Sequence, residues 1–145
     1  MSRLELPAGG GVHALREPCM RARMKTVLVV EDTDDLREMF TCVLEAEGYE
    51  VLGAPNGKEA LDVLGSLPRP PNLVLLDLMM PVMDGPTFIA NLENSQRLGQ
   101  FPVVVISAAS NHRVLGAERQ VRKPIEPAAL VRLVRDFCGA PNAAD

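Results

Sequence analysis

Five side chains in this sequence could together do chemistry on an anion: Glu31, Asp32, Asp77, Ser107 and Lys123. Glu31 and Asp32 follow Val27-Leu28-Val29-Val30, Asp77 follows Leu73-Val74-Leu75-Leu76, and Ser107 follows Val103-Val104-Val105-Ile106. Lys123 follows the shorter segment Gln120-Val121-Arg122 and precedes Pro124. Taken singly, an acidic pair after an apolar run is a solvated loop or a helix cap, and Lys-Pro is a turn. Brought to one rim, however, three carboxylates repel one another, and the penalty grows in a low-dielectric site unless something neutralises it. An all-oxygen donor set suits a hard divalent cation that keeps part of its water shell, which points to Mg²⁺. With that charge on one side and Lys123 on the other, Asp77 becomes a nucleophile between positive groups. Phosphoryl transfer by in-line attack requires that arrangement.

The elements that would bring these residues together can be traced along the chain. The run 27–30 is short and rich in β-branched residues, as in a strand buried on both faces. Leu36, Met39, Phe40, Val43 and Leu44 then recur at helical spacing, with Gly48 as a stop. A weaker strand is expected over 50–54. Asn56 with Glu59 three residues on resembles a capping box for a helix carrying Ala60, Leu61, Val63 and Leu64. A strand over 73–76 follows, then a helix from Pro86 to about Glu93. Pro102 introduces a strand over 103–106, and 120–122 forms a short last strand. Pro127 suits the first turn of a final helix with Leu130, Val131, Leu133, Val134 and Phe137 inward. Strands alternating with helices imply an α/β fold, a doubly wound five-stranded parallel sheet covered on both faces. Such sheets bind ligands beyond the carboxyl ends of their strands, where strand order reverses. All five candidate residues stand at such ends.

The 145 residues suit one domain with an unaided core, and 47% hydrophobic with 23% charged residues is ordinary for a globular chain. Aromatic residues are 3% and the net charge is −4, so neither base stacking nor a basic phosphate-binding face is on offer, and nucleic acid is excluded as a partner. No apolar run approaches the ~18 residues of a membrane span, and the N-terminus lacks a signal-peptide stretch. Cys19, Cys42 and Cys138 show no CxxC spacing; Cys42 and Cys138 are expected as reduced, semi-buried thiols of a cytoplasmic protein. Residues 1–23, with Gly9-Gly10-Gly11 and scattered arginines, are expected to form a flexible tail. The triple glycine lacks the following Gly-Lys-Ser/Thr of a phosphate loop. Met20 and Met24 are possible alternative starts. The ordered domain is expected over 24–138, with 139–145 a C-terminal tail.

From about Met24 to Cys138 the chain resembles the response-regulator receiver family of two-component phosphorelays, which has a flavodoxin-like fold. The resemblance lies in Val27-Leu28-Val29-Val30-Glu31-Asp32, in Leu75-Leu76-Asp77-Leu78-Met79-Met80-Pro81-Val82-Met83-Asp84-Gly85, in Val105-Ile106-Ser107-Ala108 and in Lys123-Pro124. It implies that Asp77 is the phospho-acceptor. It implies also that Asp32 binds Mg²⁺ directly, Glu31 through water, and Met79 through its backbone carbonyl. Lys123 would pair with the phosphoryl group and Ser107 would hydrogen-bond it after transfer. A cis Lys123–Pro124 bond is expected on the same ground.

Three features depart from the family pattern. Glu31 stands where Asp is commoner. Gln120 replaces the aromatic residue three positions before the lysine. The segment between Ser107 and Gly116 is too short for the usual loop and three-turn helix, so a shortened fourth helix is expected. The sequence therefore reads as a stand-alone receiver, phosphorylated by a histidine kinase or a histidine phosphotransfer protein and read out by a protein target. It would be a self-modifying phospho-acceptor and no enzyme in the turnover sense. The alternative is a phosphorylation-independent interaction module that kept the fold. A haloacid-dehalogenase-like phosphohydrolase ranks last, since Met79 stands where a second acid is needed.

Overall fold

The computed structural model describes residues 24–108 and 113–142. The expected flexible tail, with Cys19 and Met20, lies outside the described residues. Short aliphatic runs form strands β1 (Thr26–Val30), β3 (Leu73–Leu76) and β4 (Val103–Ser107), buried along almost their whole length. The more exposed β2 (Glu50–Ala54) and β5 (Arg119–Arg122) are the two edges. All neighbours pair in parallel, in the order β2-β1-β3-β4-β5. Between them run α1 (Asp34–Glu47), α2 (Gly57–Ser66) and α3 (Gly85–Asn94), and α4 (Pro127–Cys138) closes the fold.

Alternation along the strands sends successive residues to opposite faces. Val27, Val29, Leu73, Leu75, Val104 and Ile106 pack against Phe40 and Leu44 of α1 and Leu130, Leu133 and Val134 of α4. Leu28, Val30, Val74, Leu76, Val103 and Val105 pack on the other face against Ala60 and Leu64 of α2 and Phe88, Ile89 and Leu92 of α3. The helix signals in the sequence act where expected. Gly48 stops α1 at φ 106°, a left-handed conformation that favours glycine. The Asn56 side chain accepts from the Glu59 N–H at 2.9 Å, and Pro127 opens α4.

Between β4 and β5 the described residues contain no helix; 113–118 form a turn, while 109–112 lie outside the described residues. The turn is held by Val114 and Ala117 packing on the α2–α3 core. The C-terminal helix is therefore the fourth among the described residues. Cys42 is exposed, not semi-buried as expected, whereas Cys138 is buried. Two residues from both Phe40 and Leu44, Cys42 lies ~200° around α1 from the inward stripe. Past α4, the Gly139 carbonyl accepts from the Tyr49 hydroxyl at 2.6 Å and the Pro141 carbonyl from the Lys25 N–H at 2.9 Å. Among the described residues no helix is long and apolar enough to cross a membrane.

Candidate functional site

Sheet register assembles the rim. Val30 of β1 lies beside Leu76 of β3, so Glu31-Asp32 and Asp77 leave the sheet side by side. The Asp77 N–H donates to the Val30 carbonyl at 3.0 Å and the Glu31 N–H to the Ala54 carbonyl at 3.0 Å. These bonds fix where both carboxylates begin. β1 and β3 also flank the point where strand order reverses, the crevice in which such sheets bind ligands. On the other side, Ser107 pairs with Arg122, and the next residue, Lys123, donates its N–H to the Ser107 carbonyl at 2.9 Å.

Carboxylate oxygens of Glu31, Asp32 and Asp77 lie within 4.8 Å of one another. Glu31 and Asp77 are buried, 2% and 6% exposed, and Asp32 is half-buried. The Lys123 Nζ reaches Glu31 Oε1 at 2.9 Å and Asp77 Oδ1 at 3.6 Å. The Glu31 carboxylate thus meets this lysine through one oxygen and accepts from the Thr33 N–H at 3.1 Å through the other. Asp77 Oδ1 accepts weakly from the Met79 N–H at 3.4 Å. Burial first, and then the Glu31 charge, push the Asp77 carboxyl up to about 6 against the pull of Lys123. Burial would lower the Lys123 ammonium, but Glu31 and then Asp77 outweigh it and raise the group above its ordinary value. One ammonium thus faces three carboxylates, and negative charge is left over. An all-oxygen set with unmet negative charge, free of nitrogen and sulfur donors, fits a hard divalent cation such as Mg²⁺.

The structure brings Glu31, Asp32, Asp77 and Lys123 into one cluster, with Met79 beside Asp77 through its backbone. Ser107 ends β4 at the same rim, buried, with its backbone tied to Lys123. The Lys123–Pro124 bond is cis. Arg37 escaped the sequence reading. Its guanidinium donates to the Glu31 carbonyl at 2.7 Å and to Asp34 Oδ1 at 2.6 Å, bracing the turn that carries Glu31 and Asp32. Its three-residue spacing from Asp34 on a helix was the available signal. Gln120, in place of an aromatic residue, is half-buried and accepts from the Val114 N–H at 3.2 Å.

The β3–α3 turn is fixed at both ends. The Gly85 N–H donates to the Leu78 carbonyl at 3.0 Å and the Gly57 N–H to the Met83 carbonyl at 3.1 Å. Asp84 caps α3 by accepting from the Thr87 N–H at 2.9 Å. That bond, then the Thr87 side chain, holds the Asp84 carboxyl below its usual range.

Comparison with known proteins gives a consistent picture. Residues 27–135 match the family model of the response regulator receiver domain. The polar-differentiation response regulator DivK of Brucella anthropi is 29% identical over 121 residues, covering 79% of this chain and 97% of DivK. The phosphate regulon transcriptional regulatory protein PhoB of Pseudomonas aeruginosa is 33% identical over 113 residues, 74% of this chain; the match spans only 48% of PhoB. Among solved structures, the response regulator TrrA of Thermotoga maritima, in complex with Mg(2+)-BeF, superposes with a TM-score of 0.68 at 30% identity. That match covers 79% of this chain and 99% of TrrA.

Proposed function

The chain belongs to the response regulator receiver domain family, and on that premise we propose that Asp77 is its phospho-acceptor, supplied by a histidine kinase or a histidine phosphotransfer domain. The observation that supports this reading is the cluster itself: Glu31, Asp32 and Asp77 oxygens within 4.8 Å of one another, with Lys123 Nζ 3.6 Å from Asp77. Asp32 would ligate Mg²⁺ directly and Glu31 through water, with Asp77 and the Met79 carbonyl completing the protein's share. When bound, the ion supplies positive charge against the equatorial oxygens of the transferring group.

The chain's own residues do the rest. An Asp77 carboxylate oxygen attacks phosphorus in line. The new oxygen–phosphorus bond forms as the phosphorus–nitrogen bond to the donor imidazole breaks. Lys123 turns from Glu31 to the phosphoryl oxygens, replacing one anionic partner with another. The Ser107 hydroxyl donates to the same oxygens after transfer. The modification is of the chain itself and is followed by slow hydrolysis, so no substrate is turned over. We assign the module to 24–138 and its work to the cytoplasm, where nucleotide-fed kinases operate.

Acetyl phosphate with Mg²⁺ should label the wild-type chain, and Asp77→Asn should abolish labelling because the amide removes the nucleophile. Excess EDTA should have the same consequence. An Asn variant that labels like wild type would overturn the acceptor, and labelling that persists in EDTA would overturn the metal. A wild-type chain that never labels would support the phosphorylation-independent module, which Gln120 and the shortened segment between Ser107 and Gly116 favour.

A further inference from the structure

Asp32 stands between two pinned peptides. The one before it offers the Glu31 carbonyl, which accepts from the Arg37 guanidinium at 2.7 Å. The one after it offers the Thr33 N–H, which donates to Glu31 Oε2 at 3.1 Å. Each peptide unit is planar, so the two bonds together restrict rotation about the Asp32 backbone and set where its side chain leaves the chain. Arg37 has a second hold on the same turn. Another nitrogen of its guanidinium donates to Asp34 Oδ1 at 2.6 Å, and its backbone N–H donates to the Thr33 carbonyl at 2.9 Å. A rigid planar fork serves two acceptors at once, as a single ammonium on a flexible stem does not. Among the described residues the Arg37 charge is answered by Asp34, outside the cluster, whereas Lys123 pairs with Glu31 and Asp77 themselves.

A second observation lies on the neighbouring strand. Gly53 of β2 is exposed and has no left-handed φ, so its backbone does not require glycine, a residue that weakens a strand. What requires it is the Arg37 stem. A Cβ at Gly53 would sit 3.2 Å from Arg37 Cδ. The missing side chain leaves room for the stem to cross β2 on its way to the Glu31 carbonyl.

We propose that Arg37 is a positioning residue of the Mg²⁺ site, holding the peptide between Glu31 and Asp32 so that Asp32 meets the ion already oriented, with Gly53 as its clearance. This rests on the metal reading of the acidic cluster and names what prepares it. Groups that orient metal ligands from outside account for about 10–100-fold in affinity. A purely electrostatic role has the opposite sign, since removing a nearby cation would tighten Mg²⁺ binding.

The test is Mg²⁺ binding, followed by calorimetry without a phosphodonor, on wild type, Arg37→Ala, Gly53→Ala and the double variant. Alanine is the best helix former, and urea unfolding in EDTA checks that each chain folds. The Mg²⁺ dissociation constant should rise about tenfold for Arg37→Ala and about threefold for Gly53→Ala. The double variant should match Arg37→Ala, because Gly53 acts through the arginine stem. Acetyl phosphate labelling of Arg37→Ala should need correspondingly more Mg²⁺ for half-saturation yet reach a plateau within about twofold of wild type. Damage to the fold would not produce that split. Unchanged or tighter Mg²⁺ binding in either single variant would overturn the proposal. So would a Gly53→Ala loss that persists in full in the double variant. A wild-type chain that binds Mg²⁺ but never labels would overturn the Asp77 acceptor and leave this role of Arg37 intact. One that binds no Mg²⁺ would overturn both the metal reading and the role of Arg37.

Discussion

The Asp77 carboxyl, held up to about 6 by burial and then by the Glu31 charge, makes stability depend on pH in a definite direction. An acid whose folded pKa exceeds its unfolded value favours folding when protonated. Its contribution is complete below the ordinary carboxyl value of 3.8 and is lost as pH rises through about 6. Other carboxylates contribute slopes of their own, Asp84 in the opposite sense, so the informative quantity is wild type minus Asp77→Asn. In EDTA, urea unfolding should show that difference falling as pH rises from 4 to 6, by on the order of 2 kcal/mol. Mg²⁺ at neutral pH should restore the loss, since a cation takes over the neutralising role of the proton. A flat difference would mean that Asp77 is not the strained acid of the cluster. The cluster was legible in the sequence because a parallel sheet collects its strand ends, and Glu31, Asp77, Ser107 and Lys123 are strand-end residues. Arg37 was not, because an arginine in a first helical turn is ordinarily solvated. Only the folded turn shows its guanidinium reaching the Glu31 carbonyl.

Among the elements, the strands and the four helices follow from apolar runs, helical spacing and caps, each a local signal. The segment between β4 and β5 offered only a residue count, hence an expected short helix, of whose span 109–112 lie outside the described residues while 113–118 form a turn. What fixes that segment is tertiary: Gly116, at φ 93°, lies where an added Cβ would sit 2.8 Å from Ile89 Cγ2. The β3–α3 turn is constrained more tightly still. A Cβ at Gly85 would come within 2.8 Å of Leu78 Cα and 3.0 Å of the Asp77 carbonyl oxygen, and neither backbone atom can swing aside. Gly85→Ala should therefore cost about 1–3 kcal/mol in urea unfolding. It should also slow acetyl phosphate labelling, because the clash bears on the peptide of Asp77, the proposed acceptor. Gly65, near the end of α2, meets nothing within 4 Å. Its replacement by Ala should stabilise by about 0.5–1 kcal/mol through helix propensity and leave labelling unchanged. Equal stabilities for the two alanine variants would show that the β3–α3 turn is not close-packed.

For the whole molecule, the question is how a charge placed at the rim becomes a change elsewhere. Two packed faces transmit displacement only through an element with two discrete positions. An aromatic residue at position 120 could be such an element, filling space vacated as Ser107 moves toward the phosphoryl oxygens. Gln120 is instead half-buried and bonded through Oε1 to the Val114 N–H, so moving it would strand a polar group. It ties β5 to the turn before it. The groups free to respond are those bonded to the cluster: the Thr33 N–H on Glu31, Arg37 on the Glu31 carbonyl, and Lys123 itself. Lys123 leaving Glu31 for a phosphoryl group would release that carboxylate, and the shift would pass into the start of α1. Beryllofluoride with Mg²⁺ should therefore move amide resonances from Asp32 to Arg37, together with Ser107, Ala108, Arg113 and Val114. Those of Gln120 to Arg122 and of α4 beyond Leu130 should move little. Large contiguous shifts along Gln120 to Arg122 and α4, with none near Asp35, would show that β5 and α4 carry the signal and that Gln120 is no tether.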